Sequence, residues 1–102
     1  MIRHIVLVRF SPQTTPQRLE EIFTALEALQ TSIPGILAIT RGPNTSPEGL
    51  DHGYTHAFTV DFVDAAARDA YLPHPEHAKV GKAIVAAAEG GIEGIAVIDY
   101  AV

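Results

Sequence analysis

The spacing of apolar residues predicts one α+β domain, a four-stranded antiparallel sheet with two helices on one face, in the chain order βαββαβ. Three observations carry the prediction. Branched apolar runs open the chain at Ile2–Phe10 and close it at Ile92–Val102. From Leu19 to Ile33 the apolar residues recur every three or four positions, whereas from Tyr54 to Phe62 they alternate. Pro- and Gly-bearing stretches separate these segments, so each element ends on a recognisable signal.

The first strand, residues 2–10, stops at Ser11-Pro12. Thr15 followed by Pro16 reads as an N-cap and first helical residue. Leu19, Ile22, Phe23, Leu26, Leu29 and Ile33 then form the apolar stripe of an amphipathic helix, which Pro34-Gly35 ends. Ile36–Arg41 is a second short strand, and residues 42–53 form a polar loop without periodicity. In the third strand, Tyr54–Val63, Tyr54, His56, Phe58, Val60 and Phe62 share one face. Asp64 caps a helical segment running to Leu72. Pro73 and Pro75 each lack a backbone donor, so that helix must break and restart, continuing to about Ala88 before Gly90-Gly91 stops it. The last strand is expected over Ile92–Val102. This order matches the split-βαβ, ferredoxin-like arrangement, with sheet order 4-1-3-2. Strand 1 is placed between strand 4, antiparallel to it, and strand 3, read here as running in the same direction.

Composition narrows the function. The 102 residues make a single domain, 1–102, and 47% hydrophobic content can bury a core. A formal charge of −5 with only seven scattered Lys and Arg argues against nucleic acid. With no cysteine there is no disulfide, thiol nucleophile or thiolate metal site. The apolar run Ile5–Val8 is too short for a signal core or a membrane span. The expectation is a cytoplasmic protein with neither nucleic-acid nor membrane partners.

Strand parity puts His4 and His56 on the helix-covered face, near what should be the same end of the sheet, with Asp99 arriving there on strand 4. On the restarted helix His77 shares a stripe with Val80, Gly81, Ile84 and Ala88, and Tyr71 lies just before the break. His4, His56, Tyr71 and His77 are therefore expected to converge on one partly apolar space. The opposite face carries Ile5, Leu7, Leu37 or Ile39, Ile98 and Tyr100 with no helix above them, and a second copy of the chain is the expected cover.

The opening Ile2-Arg3-His4-Ile5-Val6-Leu7-Val8-Arg9-Phe10, the entry Gly53-Tyr54-Thr55-His56 and the break Tyr71-Leu72-Pro73-His74-Pro75-Glu76-His77 together resemble the stress-responsive A/B barrel domain family. The resemblance spans nearly the whole chain and implies a homodimeric α+β barrel. The family includes plant stress-induced proteins and a polyketide cyclase branch of the olivetolic acid cyclase type. In that branch a helix tyrosine and histidine close a ring by an aldol-type step. By motif those roles fall on Tyr71 and His77. Strand histidines matching His4 and His56 line the same cavity, and Ile98-Asp99-Tyr100 also matches. The alanine-rich stretch Ala83–Gly94 is longer than its cyclase counterpart and lacks that protein's aromatic residue, and Leu72-Pro73 replaces bulkier branched residues. The cavity walls therefore differ.

Three functions compete. One is a cofactorless cyclase, lyase or isomerase acting on a carbonyl compound, with Tyr71 and His77 catalytic. In it a neutral imidazole takes a proton α to the carbonyl and a phenol donates to the developing oxyanion. His4 and His56 would bind substrate while Asp99 fixes a tautomer behind them. The others are a structural stress-related dimer holding a satisfied polar cluster, and a carrier of hydrophobic molecules lined by Phe23, Phe58 and Ile84. No metal site is expected, because His74 and His77 at i, i+3 lack further ligands and His74 better serves as a helix cap. Glu20, Glu21 and Glu27 read as the wet face of the first helix.

Overall fold

The computed structural model describes residues 1–102. Its elements are β1 (Ile2–Val8), α1 (Pro16–Ser32), β2 (Ile36–Pro43), β3 (His56–Phe62), α2 (Ala65–Tyr71), α3 (Pro75–Ala87), a 3₁₀ turn (Gly91–Gly94) and β4 (Ile95–Ala101). The strands form one sheet in the order β2-β3-β1-β4, and every neighbouring pair is antiparallel.

One expected direction is corrected. β3 runs antiparallel to β1, with Ile2 opposite Phe62 and Val8 opposite His56. The reason is geometric. Helix α1 carries the chain back over the sheet, so β2 enters in the direction of β1, and the return through residues 44–55 reverses it. β3, seated between the two, must oppose both. His56 therefore stands beside Val8, four residues from His4 and about 13 Å away along the strand.

Caps form where the residue types require them. The Thr15 side chain accepts from the Arg18 N–H and the Asp64 side chain from that of Ala67. The start of the last strand is also corrected, because Ile92–Gly94 is a 3₁₀ turn and the strand begins only at Ile95. Gly90 and Gly91 take positive φ values of 77° and 65° to turn the chain, and a side chain at Gly94 would strike the Glu89 carbonyl.

The core lies between the sheet and the helices. Val6, Val8 and Phe10 meet Phe58, Val60 and Phe62 from β3 beneath Ile22, Phe23, Leu26 and Leu29 of α1 and Val80 and Ile84 of α3. A bulge between Ile36 and Ala38 leaves Leu37 exposed and returns Ile39 to the covered side opposite Val60, which removes Ile39 from the open face. Glu20 and Glu27 are not merely solvated. Both ion-pair with Arg41 of β2, at 2.8 and 3.1 Å, and the Arg41 guanidinium lies 5.1 Å from the Phe23 ring centre. On the open face Ile5 pairs across with Ile98, and Ile98 and Tyr100 are 60% and 48% exposed. No helix is long and apolar enough to cross a membrane.

Candidate functional site

The proline break between α2 and α3 sets the first half of the site. In an unbroken helix the Leu72 carbonyl would accept from the N–H of Glu76. Here the Glu76 N–H turns to the Nδ1 of His74, the N-cap of α3, at 3.1 Å. The freed Leu72 carbonyl pairs with Nδ1 of His77 at 2.8 Å. A carbonyl only accepts, so Nδ1 carries the hydrogen and Nε2 of the neutral ring is a bare acceptor with no partner in the chain. Burial lowers the His77 pKa below the ordinary 6.5, against the opposing pull of the Leu72 carbonyl and with His4 and His74 adding to the fall, which favours that neutral form.

Tyr71 is 1% exposed and lies between two imidazoles and a phenyl ring. Its ring centre is 4.2 Å from His77, 4.9 Å from Phe62 and 6.1 Å from His4. Its hydroxyl makes no hydrogen bond within the chain, yet no fully buried polar side-chain atom lacks a partner. The trace of surface that Tyr71 keeps therefore includes that hydroxyl. Burial raises its pKa well above 10, so the phenol is a donor at neutral pH.

His4, in mid-β1, is 5% exposed and faces Asp99 directly across β4. Its Nδ1 lies 2.7 Å from Oδ1 of Asp99, whose Oδ2 accepts from Nη1 of Arg68 at 3.0 Å.

His4 and His77 line a cavity of about 210 Å³ between α3 and the β1–β4 side of the sheet. Val6, Phe58, Gly81, Ile84, Val85 and Ile95 supply the remaining inner wall, and exposed Leu72, Ile92 and Val97 rim the mouth. The lining is largely apolar and includes no Lys or Arg. Its size lies below the ~300–1,000 Å³ typical of drug-sized ligands, so a small compound fits. A larger depression, about 350 Å³, lies between the start of α1 and the end of α3 and includes none of these residues.

The structure thus gathers His4, His77, Phe58 and Ile84 around one cavity, sets Tyr71 behind the rings of His77 and His4 and Asp99 behind His4 without either lining it, and leaves His56 and Phe23 out. The His56 ring packs 5.2 Å from Phe10 and 5.8 Å from Phe23, and its Nδ1 bonds Oγ1 of Thr55. The expected four-residue convergence fails because β3 runs the other way. Arg68, the Leu72 carbonyl and the wall residues Val85, Ile92 and Val97 were not anticipated.

The family model of the stress-responsive A/B barrel domain matches residues 2–102. The chain belongs to this family. Among similar proteins, a stress-response A/B barrel domain-containing protein of Arabidopsis thaliana is 29% identical over 99 residues, covering 97% of this chain and 87% of the relative. Olivetolic acid cyclase of Cannabis sativa is 26% identical over 80 residues, 78% of this chain and 79% of the cyclase. A dimeric ferredoxin-like protein of unknown function from Jannaschia sp. superposes with a TM-score of 0.90 at 33% identity, covering 99% and 98% of the two chains. Hydroxynitrile lyase from Passiflora edulis superposes at 0.85 with 25% identity, covering 99% and 92%. A cyclase and a lyase are thus among the proteins similar to this chain.

Proposed function

We propose that this A/B barrel protein is a cofactorless enzyme of cyclase or lyase type, acting by acid–base chemistry on a small uncharged carbonyl compound held under α3. The observation that carries the reading is His77 in the wall of an apolar cavity with Tyr71 packed against its ring. One ring offers a bare nitrogen and the other keeps its proton, and their centres lie 4.2 Å apart with the planes tilted by 39°. In the proposed step Nε2 of His77 takes a proton from the carbon next to the carbonyl, and the Tyr71 hydroxyl donates to the oxygen that becomes negative. The absence of Lys or Arg from the lining favours a neutral substrate over a carboxylate or phosphate. His4, Phe58 and Ile84 bind the substrate and Asp99 holds His4. His56 and Phe23 have no part in this reading. The cyclase and lyase among the similar proteins support the class of chemistry.

The same proposal includes a homodimer built through the open face of the sheet, where Ile5, Leu7, Ile98 and Tyr100 have no helix above them. The Jannaschia protein and others of this fold are described as dimeric, which supports it.

The test is a screen of small ketones, aldehydes, cyanohydrins and poly-β-carbonyl compounds for turnover and thermal shift. Each hit is then repeated with Tyr71→Phe and His77→Ala. Turnover lost in both variants, with folding intact, is expected. Unchanged turnover in both would overturn the assignment. Binding without turnover that survives His77→Ala would favour a carrier, the second reading supported by the apolar wall.

A further inference from the structure

We infer that His4 is a second proton acceptor of the cavity, and that Arg68 is the positioning residue that holds it so, acting through Asp99. The chemical meaning of this inference rests on the cavity being a ligand site; its geometry does not. The three residues come from three elements. Arg68 on α2 donates to Oδ2 of Asp99 on β4 at 3.0 Å, and Oδ1 of Asp99 meets Nδ1 of His4 on β1 at 2.7 Å. Arg68 is itself steadied from the other side, its Nε donating to Asp69 at 2.8 Å.

A carboxylate with one oxygen taken by a guanidinium has its other oxygen aimed at the imidazole, and a carboxylate can only accept. The hydrogen must then sit on Nδ1 of His4. Nε2 makes no bond within the chain and is not sealed from a small probe, while the ring lines the cavity. Around the ring, Phe62 of β3 and Tyr71 of α2 stand edge-on at 6.2 and 6.1 Å, and His77 of α3 shares the cavity wall. None of these hydrogen-bonds Nε2, so no acceptor there competes with Asp99 for the ring hydrogen. With both rings neutral, the cavity therefore holds two bare imidazole nitrogens, on His4 and His77, set by unrelated devices: a part-buried carboxylate–guanidinium brace and a carbonyl released by proline. One can act as base while the other accepts a hydroxyl or enol hydrogen of the same ligand.

The test reads ring-nitrogen chemical shifts by ¹H–¹⁵N correlation NMR at pH 7.5 on the full chain, with His4 assigned by His4→Gln. Wild type should show His4 as the Nδ1–H tautomer. In Asp99→Asn the amide oxygen should turn to Arg68 and present its NH₂ to Nδ1, so the hydrogen should move to Nε2. In Arg68→Gln a mixture of tautomers is expected, and Arg68→Lys should restore the Nδ1–H form. A merely structural role would leave the tautomer unmoved in all three folded variants, with folding checked by amide dispersion. An Nε2–H ring or an imidazolium in wild type would overturn the inference, as would an unchanged tautomer in Asp99→Asn. An unchanged tautomer in Arg68→Gln would remove Arg68 from it. Because this readout uses no ligand, failure of the substrate screen and failure of the brace are separate results.

Discussion

Tyr71→Phe separates a functional hydroxyl from a structural one. The Tyr71 ring is almost fully enclosed, against Phe62 at 4.9 Å and His77 at 4.2 Å, and phenylalanine keeps all of that packing. What the change removes is an oxygen with no hydrogen bond in the chain. A typical intramolecular hydrogen bond contributes about 1 kcal/mol, and here there is none to lose. The expected stability change is therefore within about 0.5 kcal/mol, or roughly 2 °C in Tm for a domain of this length. Tyr71→Ala, by contrast, empties a core site and should cost about 3–5 kcal/mol. The assay is urea unfolding followed by circular dichroism at one fixed protomer concentration, since a dimer's midpoint depends on concentration. The proposed chemistry requires turnover to fall steeply in the same Tyr71→Phe protein. A loss of stability above about 1.5 kcal/mol would show that the hydroxyl is a structural bond after all, and its assignment as a catalytic donor would lose its basis.

The remaining predictions concern backbone, charge and assembly. Gly35 has φ of +89°, and an added Cβ would lie 2.6 Å from Cβ of Ala67, so Gly35→Ala should lower stability by about 2 kcal/mol or more in the same urea assay. Burial depresses the folded-state pKa of both His56 and His77, so below pH 6.5 the unfolded chain binds protons that the folded chain resists. Stability should thus be level above that pH and fall as pH drops from 6.5 towards 5, before carboxylates such as Glu20 and Asp61, which are themselves held low, begin to titrate. A Tm that stays flat from pH 7.5 to 5 would contradict this, and His56→Gln should reduce the slope. Ile98→Asp places a charge on the open face opposite Ile5, and light scattering should then give a 10.9 kDa monomer in place of a dimer.

The sequence made the architecture legible because each element carries its own local signal. Thr15 and Asp64 cap, Pro34-Gly35 stops α1, and the alternation from His56 to Phe62 can only be a strand with one buried face. What it did not make legible was strand direction, which depends on how loops return the chain rather than on any residue. That single step moved His56 from the cavity to the Phe10–Phe23 cluster. The Ile92 turn was misread for a related reason. An apolar residue before a strand resembles the strand's first residue, and only the paired left-handed glycines show otherwise. Arg68 was hidden because its two carboxylate partners lie on different elements, one adjacent in sequence and one 31 residues away.

The two prolines at the break act through what they withhold. Pro73 and Pro75 have no N–H to extend α2, so His74 must supply the cap of α3, and its ring nitrogen takes the Glu76 N–H that would otherwise have satisfied the Leu72 carbonyl. That carbonyl then has one donor within reach, Nδ1 of His77, and bonding it fixes which nitrogen of His77 is bare. Replacing His74 by alanine removes the cap without touching the cavity. The Glu76 N–H is then free to return to the Leu72 carbonyl, in competition with His77. The proposed base should lose its single tautomer, and with it part of the turnover, while His74 itself never meets the substrate. His74→Asn, which can still cap, should preserve both. Equal loss in His74→Asn and His74→Ala would show instead that the imidazole of His74 matters for itself, and would break this link from proline to base.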